Sequence, residues 1–162
     1  MQSWPLGDSG YVHIALVALL LAFGTTHPRF SQGPQLKFER ITGVARCTVG
    51  YSGGKQPGPT YQRIKDHTES LLVEYNPEMI RYEELLVKWA RMAFPYAKAK
   101  SQYRNAIFYT NFDQQAIAEE AFGKIREQGT AKGIRVYVDI EPVTKFYQAE
   151  DYHQKFLIRR GA

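Results

Sequence analysis

Apolar positions along the chain change their spacing several times, and each change marks an element. Leu36, Phe38 and Ile41 fall on one side of a short helix that Gly43 closes. VARCTVGY (44–51) alternates β-branched with other residues and runs into a glycine turn, which predicts a strand. In SGGKQPGPTY (52–61), adjacent glycines and two prolines exclude a helix or central strand and leave a loop. ESLLVEYNP (69–77) reads as a strand stopped by Asn-Pro. In EMIRYEELLVKWARMAF (78–94), Tyr82, Leu85, Leu86, Trp89 and Met92 recur at three- and four-residue steps, the spacing of one helical face.

Further on, QYRNAIFYT (102–110) is strand-like, and FDQQAIAEEAFGKIREQG (112–129) is helical with a glycine stop. RVYVDIEPV (135–143) alternates Val136, Val138 and Ile140 with polar neighbours, which predicts a fourth strand. AEDYHQKFLIRR (149–160) predicts a short C-terminal helix. No repeat and no interior linker interrupts this series. The sum is an α+β domain with a small mixed sheet, mainly antiparallel, covered by helices.

The N-terminal part is different. YVHIALVALLLAFG (11–24) is the one strongly apolar run. It is too short for a comfortable membrane span and suits the hydrophobic part of a signal peptide better. Yet no Lys or Arg precedes it, Asp8 is the only charge before it, and no small-x-small cleavage site follows. Residues 1–32 therefore read as an atypical leader, with a secretory route or membrane contact through that leader left open.

Composition narrows the chemistry. The 162 residues suit one globular domain, and 11 Tyr, 9 Phe and 2 Trp favour a packed core over disorder. The net charge of +5 comes from scattered basic residues without a block of like charges, so nucleic-acid binding is not expected. Cys47 is the only cysteine, which excludes an intramolecular disulfide and a Cys-based zinc site. The four histidines show no metal-ligand spacing, so a metal site is not expected.

Six motifs then fall in one order. GVARCTVGYSGG, PGPTY, DHTESLLVEYNP, IRYEELL, SQYRNAIFY and FYQAEDYHQKF together resemble the A-type peptide methionine sulfoxide reductase family, over residues 33–162. DHTES is similar to the branch with Asp-His-Thr-Glu where others have Gly-His-Ala-Glu. The resemblance implies a two-layer α+β roll and reduction of the S-epimer of methionine sulfoxide in peptides or proteins, repairing oxidised methionine. It implies no cofactor, a thiol reductant such as thioredoxin, and a cytoplasmic or organellar setting.

The same resemblance implies roles for named residues. Glu69 matches the family's catalytic acid, and Tyr61 and Tyr103 match its two phenol donors, which would hold and protonate the sulfoxide oxygen. From the residues alone, Glu69 also reads as a solvent-facing strand position, and the tyrosines as core aromatics. His67 is expected as a structural partner behind Glu69. Tyr51, Gly53 and Gly54 read as turn builders, while Tyr152 and His153 read as tail anchors with Glu150 and Asp151 in their network.

The sulfur-attacking side is missing. The family's Gly-Cys-Phe-Trp-Gly motif falls on Arg29-Phe30-Ser31-Gln32-Gly33, so Phe30 occupies the nucleophile's position and cannot attack sulfur. Ser31 and Gln32 replace the aromatics that would enclose the substrate methyl group. Cys47, alternating with Arg46 and Thr48, reads as a buried packing residue and not as a substitute. An acidic position that some members carry before the QYR tyrosine is Lys98. The break at Gly33 suggests exchange of a whole N-terminal segment, with loss of the family's first strand and exposure of the sheet edge it covered. Two readings follow: a reductase by descent whose own activity is impaired, or a non-catalytic binder of methionine sulfoxide, a pseudoenzyme.

Overall fold

The computed structural model describes residues 13–18 (as backbone), 32–93, 95, 96, 98 and 100–154. In chain order the elements are β1 (His13–Ala18), α1 (Gln32–Glu39), β2 (Val44–Ser52), β3 (Thr68–Tyr75), α2 (Tyr82–Met92), β4 (Ala106–Tyr109), α3 (Phe112–Ala131), β5 (Asp139–Pro142) and β6 (Tyr147–Gln148). Short 3₁₀ turns lie at Ser101–Tyr103 and Asp151–His153. The strands form one sheet in the order β5-β4-β1-β3-β2-β6. Among the described strands only the β4–β5 pairing is parallel; the other pairings are antiparallel. The sheet is mixed and mainly antiparallel, as its sequence pattern predicts.

The order of strands overturns one expectation. His13–Ala18, inside the apolar run that reads as a leader, is an interior strand of the sheet. It pairs along its length with β3, from His13 opposite Tyr75 to Ala18 opposite Ser70. Its other edge takes Leu16, Val17 and Ala18 against Phe108, Ile107 and Ala106 of β4. An interior strand satisfies backbone donors and acceptors on both sides, so the edges of β3 and β4 are covered. The loss of a first strand is therefore corrected. The flanking stretches of the leader, with Phe30 and Ser31, lie outside the described residues. Among the described residues no helix is long and apolar enough to cross a membrane.

Strand alternation sorts the sheet into two faces. Cys47, Val49, Tyr51, Leu71, Val73, Tyr75 and Ile107 point into the main core with Phe38 of α1, Leu85, Leu86 and Trp89 of α2, and Ala118 and Phe122 of α3. Trp89 meets Phe122 edge to face at 5.3 Å, joining the two long helices. Leu72, Ala106 and Phe108 point the other way and form a smaller cluster with Phe146. Cys47 is a buried thiol of the main core and takes part in no disulfide. A register shift between Val44 and Arg46 interrupts the alternation at the start of β2 and leaves Ala45 exposed.

Helix ends follow local chemistry. The Asn111 side chain accepts from the Gln114 main-chain N–H at 2.9 Å and starts α3. Gly133, at φ +69°, ends the turn beyond it. The Gln35 amide of α1 donates to the Cys47 carbonyl at 3.0 Å, fastening that helix to β2. Pro34 is tolerated because it lies in the first turn.

Elsewhere tertiary bonds override the local pattern. The strand expected over 102–110 begins only at Ala106, because the Tyr103 N–H donates to the Lys100 carbonyl at 2.9 Å and closes a turn. Of 135–143, only Asp139–Pro142 is strand. Before it, the Tyr137 N–H donates to Pro95 and the Val138 carbonyl accepts from Arg126, so those groups leave the ladder. The expected C-terminal helix is, where described, the 3₁₀ turn Asp151–His153. There the Gln154 amide accepts from the Val49 N–H at 3.0 Å and donates to the Val49 carbonyl at 2.8 Å, continuing the β2 edge past β6.

A candidate active site beside the β2–β3 turn

Glu69 stands on the second residue of β3, directly opposite Tyr51 of β2, on the face that packs against the helices. Its carboxyl is half-buried. The Gln102 amide donates to its Oε1 at 3.1 Å. No ion pair reaches it among the described residues. Burial therefore pushes the carboxyl above its ordinary value, and the Gln102 bond, which favours the charged form, offsets only part of that.

Tyr61 and Tyr103 approach the same carboxyl from two loops. The Tyr61 phenol is raised by burial first, then by the fields of Glu69 and Tyr152. Burial is also the larger cause for Tyr103, followed by Glu69 and Tyr61. The three groups thus sense one another, and both phenols stay protonated, as donors, at any physiological pH. Glu69, Tyr61 and Tyr103, chosen from dispersed motifs, are brought together.

The loop carrying Tyr61 is anchored from the C-terminal segment. The Glu150 carboxylate accepts the Tyr61 main-chain N–H at 3.0 Å and the Tyr51 hydroxyl at 2.9 Å. Burial would raise that carboxyl, but these donors and its own N–H outweigh it and hold it below the ordinary range. The Tyr51 phenol is pushed up, by burial and then by its bond to Glu150. The His153 ring lies 4.4 Å from Tyr61 and 4.2 Å from Tyr152, stacking the tail on the loop. Tyr51 thus does more than build a turn, since its hydroxyl joins β2 to the tail.

His67 is buried but does not touch the Glu69 carboxyl. Its ring meets Tyr147 edge to face at 5.4 Å and packs beneath the glycine turn, where a Cβ on Gly54 would fall 2.4 Å from Nδ1. Nδ1 lies 3.3 Å from Asp66 Oδ1, and among the described residues neither ring nitrogen has a hydrogen-bond partner; burial outweighs the Asp66 charge and holds the imidazole below its ordinary value. Gly53, at φ +79°, lets the turn pass close to Arg104 and Phe108. Arg104 in turn donates to Thr68 at 3.0 Å, to Asp139 at 2.8 Å and, in a fork, to Glu141 at 2.5 and 2.8 Å. Lys98 is exposed. Gln102 escapes sequence reasoning, because an amide beside a motif tyrosine carries no signal of the carboxyl it will meet.

The sequence model described as peptide methionine sulfoxide reductase matches residues 33–161. The chain belongs to the peptide methionine sulfoxide reductase family. Peptide methionine sulfoxide reductase MsrA of Nitrobacter winogradskyi is 37% identical over 133 residues, covering 78% of this chain and 74% of the relative. Methionine sulfoxide reductase A of Corynebacterium diphtheriae superposes with a TM-score of 0.79 at 26% identity, over 96% of this chain and 78% of that one. Mxr1 of Saccharomyces cerevisiae in its reduced form gives 0.74 at 26% identity, over 95% and 88%. The reductase family's reaction is an oxidoreduction in which a thiol reductant removes the sulfoxide oxygen. The family match begins at Gly33, so the leader is outside it, although β1 lies inside the reductase sheet.

Proposed function

We propose that Glu69, Tyr61 and Tyr103 bind the oxygen of a methionine S-sulfoxide in a peptide or protein and deliver a proton to it. One observation carries this reading: two protonated phenols converge on a half-buried carboxyl that, among the described residues, no cation pairs with. A sulfoxide oxygen is basic and its sulfur electrophilic. Donors on the oxygen draw electron density from sulfur, and a neutral carboxylic acid can complete the transfer when a nucleophile arrives. His67, beneath the Gly53–Gly54 turn, supports the start of β3 from behind.

In the full reaction a thiolate attacks the sulfoxide sulfur, the acid's proton passes to the oxygen, and the oxygen moves as OH from the substrate sulfur to the attacking sulfur, which becomes a sulfenic acid as the substrate is reduced to the sulfide. The sulfide departs, and the oxidised thiol is returned by a second thiol as a disulfide and water. Thioredoxin or a similar dithiol fits that last step, and the yeast relative Mxr1 has been solved in complex with Trx2. In this chain Phe30 takes the position of the attacking cysteine, and Cys47 is buried in the core. We read the polypeptide as a reductase whose oxygen-activating half is intact and whose covalent step is impaired. The domain takes in β1 as well as the stretch from Gly33 onward.

Phe30 favours a second reading, a non-catalytic binder of methionine sulfoxide. The test is a dabsylated methionine S-sulfoxide incubated with the purified chain and dithiothreitol, with binding measured in parallel. Saturable binding, lost in Glu69→Gln and Tyr103→Phe without turnover, supports the binder. Turnover abolished by Cys47→Ser would overturn the assignment of impairment. Absence of both sinks the oxygen-site reading.

A further inference from the structure

Tyr103 sits between two side chains that reach back to adjacent residues of β3. Gln102 donates its amide to Glu69 Oε1 at 3.1 Å, and Arg104 donates its Nε to Thr68 Oγ1 at 3.0 Å. Arg104 is held in turn by Asp139 and Glu141 of β5, so this second contact is anchored in the sheet. The turn that carries Tyr103 is thereby clasped to the stretch that carries Glu69 at two successive positions.

The clasp treats the two oxygens of Glu69 unequally. Oε1 is the acceptor of an amide N–H, and Oε2 has no hydrogen-bond partner among the described residues. In a neutral carboxyl the carbonyl-type oxygen is the better acceptor and the hydroxyl oxygen is the donor. We propose that Gln102 is a positioning residue that holds Oε1 in the carbonyl role and so keeps the acid proton on Oε2, the oxygen free to meet a ligand beside Tyr61 and Tyr103. This rests on the reading of Glu69 as the acid, and adds to it which oxygen is the donor and what fixes that choice.

The surroundings leave Gln102 in control. The titratable groups facing Glu69 are Tyr51 of β2, Tyr61 of its loop and Tyr103 of the turn, all protonated near neutral pH. No Lys, Arg or His bonds to the carboxyl among the described residues. An amide donor stabilises the carboxylate more than the acid, so its removal moves the Glu69 titration to higher pH. Were the amide turned over, its oxygen would hold the acid proton itself, and removal would move the titration to lower pH.

The experiment follows the Glu69 carboxyl by carbon-13 NMR in selectively labelled protein, with Glu69→Gln assigning the resonance. Gln102→Met keeps length and packing without a donor, and Gln102→Ala removes both. The titration is expected to move to higher pH in both variants while the thermal midpoint changes little. Affinity for a methionine S-sulfoxide peptide is expected to fall about fivefold, the scale of one net hydrogen bond. An unchanged titration, or one moved to lower pH in Gln102→Met, overturns the proposal. Upward movement in a parent chain that binds no sulfoxide leaves the Gln102–Glu69 relation standing and sinks the substrate reading instead.

Discussion

The Tyr61 main-chain N–H donates to the Glu150 carboxylate at 3.0 Å, a contact between residues 89 positions apart in sequence. The second oxygen of that carboxylate accepts the Tyr51 hydroxyl at 2.9 Å. One side chain thus ties the loop that carries a candidate oxygen donor to the strand opposite Glu69 and to the C-terminal segment. The loop has few other anchors, among them the Thr60–Arg63 bridge and the Asp66 carboxylate, which accepts from the Lys55 and Gln56 N–H groups.

Replacing Glu150 by Ala should therefore release Tyr61 and leave the Tyr51 hydroxyl unpartnered in a buried place. We expect a loss of about 1–3 kcal/mol in unfolding free energy, the penalty of stranding such donors. Glu150→Gln retains an acceptor without the charge and should lose less. Urea denaturation orders the variants. Equal stability of Glu150→Ala and the parent would mean that the tie is idle.

Glu69 gives stability a pH signature. Its carboxyl titrates above the ordinary 4.5, with burial the largest cause, so the folded state holds the proton more tightly than the unfolded chain. Stability from this group is fully present below the unfolded value and is lost as pH rises through the folded one. At neutral pH the charged form is a liability, and Glu69→Gln should raise the thermal midpoint there. The gain should shrink as pH falls below about 4.5. Calorimetry across that range checks the sign; a gain that grows toward acid would contradict it.

The segment around β1 gives the sharpest test of the fold. Leu16 pairs with Leu72 on one side and with Phe108 on the other. Proline there deletes a ladder donor and cannot follow the pleat of an interior strand. Leu16→Pro should thus abolish the cooperative unfolding transition or the soluble yield. A leader outside the fold would accept the same substitution without any change in the midpoint.

How much of this was legible differs by region, and the reasons are physical. Trp89, Leu85 and Leu86 announce α2 because a helix buried on one face must repeat at its own period. β2 follows from its alternation, and β3 from an apolar run that Asn76-Pro77 stops. β1 did not, because Ile14 to Ala18 is an unbroken apolar run without polar positions in alternation, and such a run equally suits a signal peptide. β6 has two residues, too few for any period. At the site, Glu69, Tyr61 and Tyr103 were readable only through motif resemblance, since nothing local says that three dispersed segments converge. The Gln102 and Glu150 contacts are products of the tertiary fold and leave no trace in spacing.

The missing nucleophile yields a prediction about gain. In sequence Phe30 stands two positions before Gln32, the first residue of α1, at the place of the family's attacking cysteine. If the oxygen side is intact, Phe30→Cys supplies the absent electron pair, and Ser31→Phe with Gln32→Trp restores apolar walls for the substrate methyl group. With dithiothreitol as reductant, the triple variant should reduce dabsylated methionine S-sulfoxide above the parent background and leave the R-epimer untouched. Adding Glu69→Gln to that variant should lower turnover by roughly 10²–10⁴, the usual contribution of a positioned acid. Cys47→Ser should change nothing, because that thiol is enclosed in the core. Turnover that survives Glu69→Gln would mean that the grafted cysteine works without the acid, and the oxygen site assigned to Glu69, Tyr61 and Tyr103 would have to be given up.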